Sequence, residues 1–227
     1  MYYFPNTPDT SAIAAEAARV HSEGLERSVR QAFGIEPDAP IVLFAGRLID
    51  AKRPLDLLSA FERLDEHSKN AVLVIAGEGE LRPALAERAR GLKTVFTGWL
   101  RDPVRMAGLM AIARVFVLPS VHEPWGAVVN EALAAGVPVV ASDRVTSAVG
   151  LIEPGVNGFL YPVGDVDALS KFIGSVLALD AAGHARMSVA ARATAKAYGH
   201  EFAAGNLTEG ALAAIRPGRP GARNIAA

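Results

Sequence analysis

Residues 123–141 read Glu-Pro-Trp-Gly-Ala-Val-Val-Asn-Glu-Ala-Leu-Ala-Ala-Gly-Val-Pro-Val-Val-Ala, a stretch that predicts a helix followed at once by a buried strand. One carboxylate, Glu123, precedes the helix and a second, Glu131, lies inside it, with Trp125 and Gly126 at the helix start. A helix start presents unpaired N–H groups and a partial positive charge, which attract phosphate. With a rise of about 1.5 Å per residue, Glu131 lies ~7 Å beyond Gly126, a distance that suits the ribose hydroxyls of a nucleotide diphosphate. The stretch therefore predicts a nucleotide-sugar site.

Apolar runs of strand length alternate with helical patterns along the chain, which is typical of a parallel sheet with crossover helices. We predict strands at residues 41–45, 71–76, 94–97, 115–118, 137–141 and 159–161. We predict helices at residues 54–65, 80–89, 103–112, 126–135 and 166–179. The predicted fold class is α/β: one Rossmann-like domain with a six-stranded parallel sheet and helices on both faces.

The chemically unusual residues follow the carboxyl ends of predicted strands. They are Gly46-Arg47, Gly77-Glu78-Gly79, Gly98-Trp99, residues 119–123 and Ser142-Asp143. In a doubly wound sheet the ligand crevice lies along that edge. The convergence of several such loops predicts a single binding site there.

The composition sets limits on the function. The chain has 227 residues, a formal net charge of −1 and no cysteine, which gives no reason to expect nucleic acid as a partner and excludes disulfides and thiolate metal sites. The five histidines are scattered without ligand-like spacing, so we expect no metal. No apolar stretch reaches the roughly 18 residues of a transmembrane helix, and the first residues lack the features of a signal peptide. These features favour a cytoplasmic protein, with or without peripheral attachment to a membrane.

Glu123 and Glu131, with seven residues between them, resemble the paired-glutamate signature of the family-four (group 1) retaining glycosyltransferases. The similarity extends from residue 6 to about residue 215 and includes further motifs. These are Gly46-Arg47 with Lys52, Ala76-Gly77-Glu78-Gly79, Phe96-Thr97-Gly98, Pro119-Ser120, and Gly155-Val-Asn-Gly158-Phe with Gly164-Asp165. Enzymes of this family have the GT-B fold of two Rossmann-like domains. The resemblance implies that this chain is the C-terminal, donor-binding domain.

The resemblance also implies a domain organisation. Residues 1–38 are expected to be an interdomain linker remnant with a lead-in helix, and residues 39–180 the nucleotide-sugar-binding domain. Residues 181–215 are expected to be the closing helices, and the Pro- and Gly-rich residues 216–227 a disordered tail. The acceptor-binding N-terminal domain is missing from this plan, so the resemblance implies a partner domain or a partner chain.

The implied reaction is transfer of a hexosyl group from a nucleoside-diphosphate sugar to an acceptor hydroxyl, with retained anomeric configuration, in polysaccharide or glycolipid biosynthesis. No metal or other cofactor is expected, because Arg47, Lys52 and the helix start at Gly126 supply the positive charge. We expect the chain alone to bind nucleotide but to transfer sugar poorly. The alternatives are a subunit of a split transferase and a non-catalytic nucleotide-sugar-binding module. A nicotinamide-dependent oxidoreductase is disfavoured, because Arg82 stands where the dinucleotide fingerprint has its third glycine.

By the resemblance, three residues act on the reacting groups. Arg47 and Lys52 match the cations that hold the diphosphate, where fixed positive charge lowers the barrier to breaking the sugar–phosphate bond. A solvated basic loop is the alternative interpretation of these two residues. Glu123 matches the glutamate near the donor sugar, although a carboxylate before a helix is also a common structural charge.

The resemblance assigns Glu131 to the ribose. Its apolar neighbours indicate a buried helix, in which a carboxylate needs a partner. The remaining donor-binding candidates are Gly46, Gly77, Gly98, Leu100, Trp125, Gly126, Ala127 and Val128. For Trp125 the alternative is packing inside the domain, and for Gly98 and Leu100 it is a plain turn at a strand end.

One segment departs from the family's pattern. After Ser142-Asp143 the family has a glycine-rich turn and then an acidic residue, whereas this chain has Thr146 and Gly150 at those places. We interpret residues 144–152 as a loop directed toward the donor sugar or the domain cleft. The departure therefore bears on sugar specificity and on activity.

Overall fold

The computed structural model describes residues 9–215, without the side chains of residues 67 and 215. The first eight residues, where most of the expected linker remnant falls, and the predicted tail at 216–227 lie outside the described residues. The strands are β1 Ile41–Ala45, β2 Val72–Ala76, β3 Thr94–Gly98, β4 Val115–Leu118, β5 Val139–Ser142 and β6 Gly158–Tyr161. The helices are α1 Ser11–Ser22, α2 Glu26–Ala32, α3 Pro54–Glu62, α4 Arg82–Arg88, α5 Pro103–Ala111, α6 Ala127–Ala134, α7 Thr146–Leu151, α8 Val166–Leu177, α9 Ala181–Ala197 and α10 His200–Ile215.

The six strands form one parallel sheet in the order β3-β2-β1-β4-β5-β6, with helices on both sides. The predicted fold class is confirmed. The strand order reverses between β1 and β4, and in such sheets a crevice opens beyond the carboxyl ends of the strands at that point. The loops that follow β1 and β4 carry Arg47, Lys52 and Glu123, so the fold brings these residues to the crevice.

The central strands are apolar along their whole length because helices cover both faces of the sheet. Every residue of β1, β2 and β4 is buried, whereas the edge strand β3 is only half-buried. The core is continuous across the sheet and its helices. A rigid platform of this kind fixes the positions of the loops at the crevice.

The predicted bounds differ from the structure where turns take up residues. β5 begins at Val139, two residues later than predicted, because Gly136 at φ 82° ends α6 and the Val137 N–H donates back to the Ala132 carbonyl. α3 ends at Glu62 and is followed by a 3₁₀ turn at Glu66–Ser68, which Asp65 caps through the Ser68 N–H.

The lead-in segment before β1 forms two helices that belong to the domain. α1 packs against α5 and α6, and α2 packs against α5. The inner face of α1 carries Ala17 and Val20, both buried. This face also brings Ile13, earlier on α1, to the edge of the crevice.

Candidate functional site

The loops after β1 and β2 are joined by backbone hydrogen bonds beyond the ends of the strands. The Gly46 N–H donates to the Ala76 carbonyl at 3.0 Å, and the Leu48 N–H donates to the Glu78 carbonyl at 2.9 Å. A Cβ added at Gly77 would overlap the Gly46 carbonyl oxygen. Gly77 is therefore needed for the close approach of two backbones, and its predicted contact with the nucleotide stays a prediction.

A cavity of about 390 Å³ opens at the carboxyl ends of β1 and β2. It is lined by Ile13, Ala45, Gly46, Ala76, Trp99, Leu100, Arg101, Pro103, Met106, Val128 and Glu131. Four of the predicted donor-binding residues are among them: Gly46, Leu100, Val128 and Glu131. The structure thus gathers residues from five separate segments into one hollow, whose size lies in the range of small-ligand pockets.

Glu131 is the only carboxylate among the residues that line this cavity. It lies on α6 among buried side chains, and this burial raises the pKa of its carboxyl group. Within the described part of the chain the carboxylate has no ion-pair or hydrogen-bond partner. A desolvated acceptor beside a hollow is suited to hydroxyl donors from a ligand.

Lys52 and Glu123 form an ion pair across the crevice, although 71 positions separate them in the sequence. The two side chains are 18% and 14% exposed. Burial lowers the pKa of Lys52, and the nearby charge of Arg47 lowers it further. The structure therefore brings together the three residues assigned to the reacting groups.

Arg47 is exposed at the same edge and makes no ion pair with any described residue. Its charge lowers the pKa of Lys52, so the two cations lie near each other. An anion bound between two neighbouring cations offsets their repulsion, so the pair is suited to a multiply charged ligand.

The start of α6 lies against the Glu123 side chain. Gly126 precedes the helix at φ 89°, a left-handed conformation that favours glycine. A Cβ at this position would lie 3.0 Å from Glu123 Cγ and 3.0 Å from Val145 Cγ1. The N–H groups of Gly126, Ala127 and Val128 donate to no described residue, so they remain available to an anion.

Trp125 packs inside the domain. Its side chain is 9% exposed, and its indole N–H donates to Asn130 Oδ1 at 3.1 Å. Trp125 is not among the residues that line the cavity. The geometry thus matches the packing alternative for the ring, and the assignment of Trp125 to donor binding stays a prediction.

The segment that departs from the family's pattern is not a loop. It contains the short helix α7. The first residues of the segment form hydrogen bonds with the backbone that precedes α6. The Glu123 N–H donates to the Arg144 carbonyl, and the Thr146 N–H donates to the Glu123 carbonyl, both at 3.2 Å. Ser147 adds two bonds, from its N–H to the Trp125 carbonyl and from its Oγ to the Gly126 carbonyl. The interpretation of residues 144–152 as a loop was therefore wrong, because tertiary hydrogen bonds stabilise a helix with weak local propensity.

Several residues that line the cavity were not among the predicted donor-binding residues. Trp99, Arg101, Pro103 and Met106 follow β3, and Ile13 comes from α1. Only Ile13 had a usable signal, since Ile13, Ala17 and Val20 form a helical stripe that has to pack on something. Gly98, by contrast, does not line the cavity, and its predicted role as a ligand contact remains untested.

Two kinds of feature are missing from residues 9–215, the side chains of residues 67 and 215 excepted. No group of three or more His, Asp or Glu side chains is placed to hold a metal ion. No helix in this range combines the length and apolarity needed to cross a bilayer.

Comparisons with known proteins agree with the family resemblance described in the sequence analysis. The sequence profile of the family described as "Glycosyl transferases group 1" matches residues 26–194. An uncharacterized glycosyltransferase of Methanocaldococcus jannaschii is 39% identical over 59% of this chain and 35% of its own length. The GDP-mannose-dependent alpha-(1-6)-phosphatidylinositol dimannoside mannosyltransferase of Mycobacterium tuberculosis is 40% identical over 47% of this chain and 28% of its own length. This chain thus spans about a third of the length of these curated relatives.

Among solved structures, the Anabaena protein Alr3699/HepE in complex with UDP superposes with a TM-score of 0.76. The match covers 93% of this chain and 57% of that protein, at 22% sequence identity. At that identity the likeness concerns the fold.

Proposed function

Because this chain belongs to the group 1 glycosyltransferase family, we propose that it is the donor-binding domain of a retaining glycosyltransferase. The observation that supports this most directly is that the cavity and the charged groups are adjacent, since Gly46 and Val128 line the cavity and lie beside Arg47 and at the start of α6. A largely apolar cavity with one carboxylate, Glu131, and one cation, Arg101, lies at one end, and Arg47, Lys52 and a helix start lie at the other. Along the crevice, these environments suit a base, a ribose and a diphosphate in that order.

The nucleoside occupies the cavity. Its base lies between Ile13 and the segment after β3, where the N–H and C=O of Leu100 are paired with no described residue and offer one donor and one acceptor. Its ribose hydroxyls donate to Glu131. The discrimination between bases then depends on backbone groups and on the shape of the hollow.

The diphosphate lies over the N–H groups at the start of α6 and between Arg47 and Lys52. As the sugar–phosphate bond breaks, the electron pair stays on the diphosphate oxygen, and these fixed positive charges stabilise it. The acceptor hydroxyl oxygen forms the new bond to the anomeric carbon on the same face, and its proton passes to the departing phosphate oxygen. Glu123 contacts the sugar hydroxyls. In this scheme the cations and the helix start take the place of a metal ion.

The donor is a UDP- or GDP-sugar. One relative is named for its use of GDP-mannose, and a structural neighbour was solved with UDP, which supports this class. The acceptor-binding domain comes from elsewhere in a longer chain or from a partner chain, because this chain spans only part of its relatives. The donor domain by itself binds nucleotide and transfers sugar poorly.

Calorimetric titration of the chain with UDP, GDP and ADP, with and without EDTA, tests the proposal. We expect UDP or GDP to bind at micromolar to low-millimolar concentration, with an affinity that EDTA leaves unchanged. Failure of all three to bind at millimolar concentration would refute the assignment. Efficient sugar transfer by the chain alone would refute the requirement for a second domain.

A further inference from the structure

Lys52 and Glu123, to which the proposed function assigns different parts of the donor, are bonded to each other. Lys52 is assigned to the diphosphate and Glu123 to the sugar. A bound diphosphate therefore competes with Glu123 for the same ammonium group. The free energy of donor binding includes the loss of this ion pair.

The backbones that carry the pair are fixed, so the pair can separate only by side-chain rotation. Glu123 is held by its N–H and C=O to residues 144 and 146. The loop that carries Lys52 is joined to the loop before α6, since the Val121 N–H donates to the Ala51 carbonyl at 3.0 Å. These hydrogen bonds keep both side chains at the crevice when their contact is lost.

We propose that the Lys52–Glu123 ion pair makes the site discriminate between an intact nucleoside-diphosphate sugar and the bare nucleoside diphosphate. This inference rests on the proposed function. Either ligand takes Lys52 away from Glu123 and leaves a carboxylate of low exposure without its partner, which is unfavourable. An intact donor brings sugar hydroxyls that donate to the carboxylate, whereas a bare diphosphate brings none. The pair therefore weakens binding of the product more than binding of the substrate, and it favours product release after transfer.

Replacement of the Glu123 carboxylate by an amide separates the effect of the ion pair on the bare diphosphate from its effect on the intact donor. In Glu123→Gln, Lys52 is free, so we expect bare UDP, GDP or ADP to bind at least about fivefold more tightly, which corresponds to ~1 kcal/mol. The matching UDP-glucose, GDP-mannose or ADP-glucose gains the free lysine but loses the carboxylate–hydroxyl contacts, so its affinity changes little. The quantity to measure is the ratio of the dissociation constants of the bare nucleoside diphosphate and of the matching nucleotide sugar. The nucleotide used is the one that binds the wild-type chain best.

A second lysine–glutamate pair supplies the control. Lys69 and Glu66 are paired on the surface, so Glu66→Gln makes the same change in net charge away from the crevice. We expect Glu66→Gln to leave both affinities as in the wild type. If Glu123→Gln does not fold, Glu123→Asp shortens the side chain, weakens the pair and is expected to shift the ratio in the same direction.

The outcomes distinguish this inference from the proposed function. If the wild-type chain binds no nucleoside diphosphate, the proposed function fails. If the wild-type chain binds and Glu123→Gln leaves the ratio unchanged or tightens both ligands equally, the discrimination fails while the donor site stands. Equal shifts in Glu66→Gln and Glu123→Gln would reduce the effect to net charge and would also overturn the inference.

Discussion

The two ends of the proposed donor groove depend on different physical interactions. The charged end combines Arg47, Lys52, Glu123 and the start of α6. Lys52 and Glu123 are paired with each other, and the loops that carry them are joined by hydrogen bonds. The apolar end is a hollow of side chains from several elements, with Glu131 as its one carboxylate. Binding at the charged end should weaken with salt and ignore the base, whereas binding at the apolar end should depend on the base and respond less to salt. Each end can thus be altered separately.

The largest effect is expected at Gly77, where the backbones of the loops after β1 and β2 are in contact. In Gly77→Ala the new Cβ would overlap the Gly46 carbonyl oxygen, and the joined loops after β1 and β2 would have to separate. We expect the free energy of unfolding to fall by about 3 kcal/mol, the upper range for overpacking, as measured by chemical denaturation. Gly91→Ala is the control, because Gly91 has φ 85° but open space around the added atom, so only the ~1 kcal/mol cost of the left-handed conformation applies. Equal losses in the two variants would show that the loop contact contributes nothing.

The next largest effect concerns the charge of Lys52. Lys52→Gln removes a charge-assisted contact to the diphosphate and leaves Glu123 unpaired beside it, so affinity for the best-binding nucleoside diphosphate should fall by about 2 kcal/mol. Titrations at low and high ionic strength should show a smaller salt dependence in the variant than in the wild type. Affinity for the nucleoside without phosphate should be unchanged. A matching loss for the nucleoside would mean that Lys52 supports the whole groove and not the diphosphate alone.

The apolar end is tested by Ile13→Ala. The substitution removes methyl groups from the wall of the cavity and leaves α1 helical, since alanine has the best helix propensity. We expect affinity for nucleoside and nucleoside diphosphate to fall equally, by about 1 kcal/mol, with no change in salt dependence. Val189→Ala, at an exposed aliphatic residue of α9, is the control and should bind as the wild type. An unchanged affinity in Ile13→Ala would remove α1 from the binding site.

The contrast between the charged and the apolar end of the groove also explains what could be predicted from sequence. Buried parallel strands are continuous apolar runs, so β1 and β4 were predicted at their observed bounds, and Glu131 and Val128 were predicted near a ligand from their position on α6. The apolar wall of the cavity was missed because Ile13 and Met106 are ordinary residues whose meaning depends on contacts distant in sequence. The Lys52–Glu123 ion pair was missed for the same reason. The helix α7 was missed because Thr146 and Gly150 are poor helix formers and the hydrogen bonds that stabilise it come from another loop.

The smallest expected effect concerns Glu131, where function and stability oppose each other. Burial raises the pKa of its carboxyl group from the ordinary 4.5, so the folded chain holds this proton to a higher pH than the unfolded chain does. As the pH rises through the window between the unfolded-state and folded-state pKa values, the unfolded form binds fewer protons than the folded form. The stability contributed by this group therefore falls and stays lower at neutral pH.

Glu131→Gln should therefore raise the free energy of unfolding by ~0.5–1 kcal/mol at pH 7 and leave it nearly unchanged well below pH 4.5, while nucleotide binding weakens. Chemical denaturation at the two pH values measures this, with Glu80→Gln, an exposed residue at the same edge, as the control. A loss of stability at pH 7 would mean that the carboxylate stabilises the fold, and its place in the apolar hollow would then need a structural reason instead of a ligand.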